Sequence, residues 1–124
     1  MLTFKQIKKD EWQDGDFRPA AMIHRPSLEI LQNQDVIFEE SEEEGVGRVK
    51  FARFKTSNNE PFLIIEYLKP QLPITYIFTL NNPVIMTNEL LRILEALDLS
   101  YTELDWVNED IDIERLSDKQ SKHA

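Results

Sequence analysis

The sequence predicts an α+β fold: an antiparallel β-meander of about four strands with a principal C-terminal helix packed on one face. Three observations carry that prediction. Between Gly45 and Leu80 stand three strand-like runs, VGRVKFARFKT, PFLIIEYL and ITYIFTL. The connections between them, SNNEP and KPQLP, are short and rich in turn formers, so the runs pair as antiparallel neighbours. Parallel strands would need a crossover of about a dozen residues or more. After Asn81-Asn82-Pro83 the pattern becomes helical, with Leu90, Leu94 and Leu97 forming a stripe and Leu91 and Ile93 beside it.

Taken in order, Phe4 to Trp12 has spacings that predict a short helix. Asp14-Gly15-Asp16 reads as a turn. Pro19 and Pro26 bracket AAMIHR and bias Arg18 and Arg25 toward extended backbone, which predicts an irregular region or a short edge strand. Val36 to Phe38 predict a strand that ends at the glutamates. ESEEEGVG would join it to the basic run as a hairpin, with acids beside Arg48 and Lys50. Opposite charges facing across strands contribute roughly 0.2–1 kcal/mol per pair.

Parity refines the three central runs. In the first, Val49 and Phe51 share a face but Phe54 falls on the other. Either Arg53 points inward or a bulge near Ala52 resets the register. PFLIIEYL is apolar on both faces, which suits a central strand covered twice or one whose second face lies in an interface. ITYIFTL alternates cleanly, Ile74, Tyr76, Phe78 and Leu80 against Thr75 and Thr79. Beyond it, Thr87 fits a helix N-cap, with Glu89, Arg92 and Glu95 on the polar side. Ser100 and Glu103 resemble a capping box and favour a second short helix, although Leu104 and Trp106 also suit a strand.

Residues 1–116 are expected to form a single domain, and 117–124 a flexible polar tail. Hydrophobic residues make up 41% of the 124, and twelve are aromatic, enough for a packed core. No apolar run approaches the roughly 20 residues of a membrane span, and the charged N-terminus has no secretory apolar region. With no cysteine, disulfides and thiolate chemistry are excluded. A cytoplasmic protein without membrane contact is expected.

Fourteen basic against twenty-three acidic residues give a net charge of -9, which repels nucleic acid and suits a basic partner. Acids concentrate in Glu39 to Glu44 and again from Glu103 to Asp118, where Arg115 is the single base. Arg48, Lys50, Arg53 and Lys55 form a basic stretch with no acid among them.

Catalytic signatures do not emerge. His24 and His123 lie in no ligand-spaced pair, and no GxSxG elbow positions a nucleophilic serine. EEGVGRV lacks the third glycine, the lysine and the helix of a phosphate cradle. Asp110, Asp112 and Glu114 alternate like the start of a calcium loop, but Arg115 stands where its glycine belongs. No catalytic residue, cofactor or metal ligand is assigned.

RVKFARFK interleaves bases with aromatics as single-strand RNA-binding sheets do, giving Arg48, Lys50, Phe51, Arg53 and Phe54 as candidate contacts. It lacks the glycines of that motif, and the overall charge opposes it. Trp12, Tyr101 and Trp106 are the candidate protein-contact aromatics. The leading expectation is a non-enzymatic acidic protein-binding module: a small regulator, an immunity-type inhibitor or an assembly factor. A basic protein is the expected partner, and dimerisation through the sheet is a further expectation. The alternatives are single-stranded nucleic-acid binding through Arg48–Lys55, and a small enzyme using Glu66 with Tyr67 or Tyr76.

Overall fold

Seven strands build one antiparallel sheet in the computed structural model, which describes residues 2–32, 34–45, 47–68 and 73–121. They are β1 (Phe4–Gln6), β2 (Phe17–Ile23), β3 (Glu39–Glu43), β4 (Gly47–Thr56), β5 (Pro61–Tyr67), β6 (Ile74–Leu80) and β7 (Trp106–Val107). The order is β1-β4-β5-β6-β2-β7, and β3 also pairs with β4. Three helices accompany the sheet: α1 (Ser27–Ile30), α2 (Met86–Leu97) and α3 (Ile113–Ser121).

The fold is α+β and the β4–β5–β6 meander is antiparallel, but the sheet has seven strands rather than about four. The additional ones escape pattern reading for identifiable reasons. Phe4–Gln6 is strand, not helix, because it pairs with Thr56, Lys55 and Phe54 of a distant β4. Only Lys9–Glu11 turns, as a short 3-10 segment. The proline-bracketed region is an internal strand, β2, between β6 and β7. Its register shifts between Pro19 and Ala21, and the buried Asn108 fills that irregularity. Asn108 donates its side-chain amide to the Pro19 carbonyl and its backbone N–H to the Ala20 carbonyl, both at 2.9 Å.

The acidic strand is displaced from its expected position. Val36 to Phe38 are not strand; the glutamates themselves are, pairing Glu40 with Lys50 and Glu42 with Arg48. Bases on the neighbouring strand hold this acidic edge, with ion pairs from Arg48 to Glu40 and from Arg53 to Glu39. Neither expectation for the register near Ala52 holds. The β4–β5 pairing runs unbroken from Val49↔Tyr67 to Lys55↔Pro61, and Arg53 lies on the face opposite Phe54. The core face of β4 is instead Ala52, Phe54 and Thr56.

One core sits between that face and the helices. Ala21, Ile23, Ala52, Phe54, Phe62, Ile64 and Ile77 meet Leu90, Ile93, Leu94 and Leu97 of α2, with Ile30, Leu31 and Leu116 closing the sides. α2 begins at Met86, and its N-cap residue, Ile85, provides no side-chain cap. Thr87 is not that cap; its hydroxyl accepts the Asp112 N–H at 2.9 Å and ties α3 to α2. Glu89, expected on the polar side, is buried. Ser100 and Glu103 do form a capping box, around the 3-10 turn Tyr101–Glu103, and the chain then extends into β7, so both readings of 100–107 hold in part. α3 runs to Ser121, and Gln120 within it accepts the Tyr101 N–H at 2.6 Å. The expected KPQLP turn falls largely on 69–72, and the last residues, His123 included, on 122–124; these lie outside the described residues.

Candidate functional site

The strand rule of alternating faces decides which residues the sheet presents on the side away from the helices. Cross-strand register places Phe51 of β4, Ile65 of β5, Tyr76 of β6, Met22 of β2 and Trp106 of β7 in one transverse row. A second row runs Arg53, Leu63, Phe78 and Pro19, and a third Val49, Tyr67 and Ile74. Apart from the buried Val49, these side chains are partly exposed, and none belongs to the core cluster. Trp106 is the most open, at 41%.

Aromatic rings make this face continuous. Tyr76 lies 5.3 Å from Tyr67, 6.3 Å from Phe78 and 6.2 Å from Trp106, centroid to centroid, the last two edge to face. At the far end of β2, Trp12 stacks on Phe17 at 4.5 Å. Both tryptophans of the chain therefore stand on or beside the bare side of the sheet. Burial, the neighbouring Tyr76 phenol and the Glu43 carboxylate raise the Tyr67 phenol above its ordinary 10.0.

The side chains singled out in the sequence separate here. Trp106 joins the row, and Trp12 flanks it through Phe17. Tyr101 packs against the core on the helix side, its hydroxyl accepting from Ser117 at 3.0 Å. Phe54 is wholly buried and stacks on Phe62 at 5.3 Å. Lys50 points to the helix side, with Nζ 4.5 Å from the Phe38 ring centre and 3.9 Å from Glu66. Phe51 and Arg53 alone of that strand's candidates reach the bare face, the guanidinium lying 5.3 Å over the ring. Arg48 is exposed and paired with Glu40. The five candidates of the basic strand thus form no common surface.

Glu66 is likewise parted from Tyr67 and Tyr76 by the sheet. On the helix side its Oε1 accepts the Ser27 N–H at 2.6 Å and the Ser27 hydroxyl at 2.7 Å, anchoring α1. Among the described residues no group of three or more histidines and carboxylates could hold a metal ion. No described helix is long and apolar enough to cross a membrane.

Residue-by-residue reasoning missed Phe17, Met22, Leu63, Ile65 and Phe78 as surface residues. The available signal was the apolar second face of PFLIIEYL together with the strong alternation of ITYIFTL. No family model, no curated protein and no solved structure matches the chain.

Proposed function

We propose that this protein is a non-catalytic binding module that docks another protein on the bare face of its sheet. The observation that carries the reading is an inversion in β6. Ile74, Tyr76, Phe78 and Leu80 stand on the uncovered side, while Thr75 and Thr79, both fully buried, face the helices with Ile77. A strand that turns its more apolar side outward costs hydration free energy, roughly 25 cal/mol for each Å² of apolar surface left in water. A contiguous face of this kind marks an interaction site on a soluble domain. Tyrosine and tryptophan at its centre are the residue types on which binding energy concentrates. Such a surface suits a regulator, an immunity-type inhibitor or an assembly factor.

The nucleic-acid reading draws less support. Phe54 belongs to the core, Arg48 and Arg53 are paired with glutamates, and the chain carries -9. Base stacking needs rings and free cations on one surface. The carboxylate-enzyme reading loses its geometry, since Glu66 and the two tyrosines occupy opposite faces.

Affinity capture from cell extract with three baits tests the docking reading: the native chain, Tyr76→Asp, and Val84→Asp as a control at an exposed apolar residue in the loop before α2. A protein held by the native chain and the control but lost with Tyr76→Asp is expected. Identical captures from all three would refute it.

A further inference from the structure

We infer that the bare face receives a second copy of this chain, packed face to face about a two-fold axis that runs along the central row. This rests on the docking reading and names the occupant. The charges that share the face are close to balanced, although the chain as a whole carries -9. Arg53 is held by Glu39, and Asp105, at the β7 edge, by the backbone N–H and ring of His24. Lys5 and Lys55 are register partners, and Phe4 and Phe54 beside them face the core, so alternation turns both lysines to the bare side. Glu43 shares that side with Glu39, four residues along β3, and is near enough to act on the Tyr67 phenol. Among the described residues Lys5, Lys55 and Glu43 join no ion pair. The acidic surplus therefore lies elsewhere, and a second copy meets no wall of like charge here.

Register supplies the complementarity. Gly47, the partner of Glu43, and Lys55, the partner of Lys5, each lie four residues from Phe51 along β4, in opposite directions. That is about 13 Å to either side of the central row. A two-fold axis along the row lays Glu43 of one protomer over the Lys5–Lys55 corner of its partner, and the reverse. Each unpaired group thus meets opposite charge, twice per dimer. The same operation sets Tyr76 and Trp106 against their own copies, and Leu63 and Phe78 over Tyr67 and Ile74. Glu39 also falls on the axis, but Arg53 of its own chain neutralises it.

The strands of the two sheets then run aligned, within about 30°, which is one of the two ordinary ways in which sheets stack. From β3 to β7 and from Gly47 to Lys55 the face measures about 24 by 26 Å at its widest. That footprint, on the order of 600 Å², stands at the lower end of the roughly 600–1,000 Å² that each partner contributes to a standard interface.

Sedimentation of the full chain at rising concentration tests the inference. The expected result is a particle of twice the 14.6 kDa chain mass, reduced to a monomer by Tyr76→Asp. Reciprocal charge reversal tests the axis. Glu43→Lys in one protein, and Lys5→Glu with Lys55→Glu in another, each set like charges against each other and should weaken the dimer at least about tenfold. An equimolar mixture of the two restores opposite charges at both contacts and should recover the dimer, which also shows that both variants fold.

A native chain that stays monomeric to about 100 μM would overturn the inference. So would a dimer that survives Tyr76→Asp, or a mixture that associates no better than either reversed protein alone. Tyr76-dependent capture of a different protein by a monomeric chain would overturn it while leaving the docking reading in place. Capture that ignores Tyr76→Asp would remove the docking reading itself.

Discussion

Ser27 directs both its backbone N–H and its hydroxyl to a single oxygen of Glu66, at 2.6 and 2.7 Å, beneath the sheet. The residue before Ser27 is proline, so no side chain of its own caps the one-turn helix α1. A strand residue thirty-nine positions away accepts that helix's first donor instead. Both residues are buried, which makes the pair a joint between sheet and helix layer.

Removing the acceptor leaves the Ser27 donors unpaired, and hydrogen bonds to a charged group are worth about 1.5–3 kcal/mol. Glu66→Ala is therefore expected to destabilise the fold by about 2–3 kcal/mol, and Glu66→Gln, which keeps an acceptor, by about 1 kcal/mol. Urea unfolding gives both values. Equal midpoints for the native chain and Glu66→Ala would contradict the joint.

Glu89 presents the opposite situation. It is 4% exposed on the inner side of α2, and its Oε2 has no partner among the described residues. Burial and the neighbouring Glu60 carboxylate push its carboxyl above the ordinary 4.5, and Arg92 only partly offsets them. The folded state then holds the proton more tightly than the unfolded chain, so this group's contribution is most favourable below pH 4.5 and declines as pH rises through the higher folded value. Its place in the first turn favours the anion by about 0.3–1 kcal/mol, less than the ~1–3 kcal/mol for an unpaired buried acceptor. Glu89→Gln is expected to gain about 1 kcal/mol at pH 8 and nothing at pH 4. Urea midpoints at the two values measure it, and a gain independent of pH would count against the assignment.

Much of the frame is legible from residue order because it is local. The meander, its antiparallel sense and the α2 stripe follow from alternation and turn chemistry, and charge places acids beside Arg48 and Lys50, although the glutamates read as the link are themselves the strand. β1 is not legible, since three residues acquire a strand only by meeting β4 some fifty positions away. Pro19 conceals β2, because the structure accommodates it at a register shift filled by Asn108. The candidate face was legible only as a grouping. Parity assembles Ile74, Tyr76, Phe78 and Leu80, but which side meets the helices is decided elsewhere, by Ala52, Phe54 and Ile64 on neighbouring strands. Thr75 is tolerated inside because its hydroxyl donates to the Arg25 carbonyl at 2.7 Å.

Tyr67 supplies a spectroscopic check on the bare face. Its phenol is held above 10.0 first by burial, then by Tyr76, then by Glu43. The folded state keeps this proton longer than the unfolded chain, so the contribution is present below pH 10.0 and is lost as pH rises through the folded value. Ultraviolet titration of the three tyrosines should lose a late-titrating phenol in Tyr67→Phe. Glu43→Gln should move that phenol downward. No change in its titration on removing Glu43 would show the carboxylate too distant to shape this end of the face.

Phe51 and Phe54 separate the two sides of β4 most directly. They stand three residues apart on one strand, so alternation sends them to opposite faces. Phe54 is wholly buried, stacked on Phe62 at 5.3 Å and met edge-on by Phe4 at 5.8 Å. Truncating such a ring loses its transfer free energy and opens a cavity, so Phe54→Ala is expected to cost about 3–5 kcal/mol. Phe51 is only partly covered, beneath the Arg53 guanidinium, and leaves no enclosed void when cut back. Phe51→Ala is expected to cost about 1 kcal/mol, the ordinary size for a single substitution away from the core. In a partner assay the order should reverse: Phe51→Ala weakens binding while the protein stays folded. Equal losses of stability for the two would mean that the Phe51 side is covered as the Phe54 side is, leaving no bare face to receive a partner.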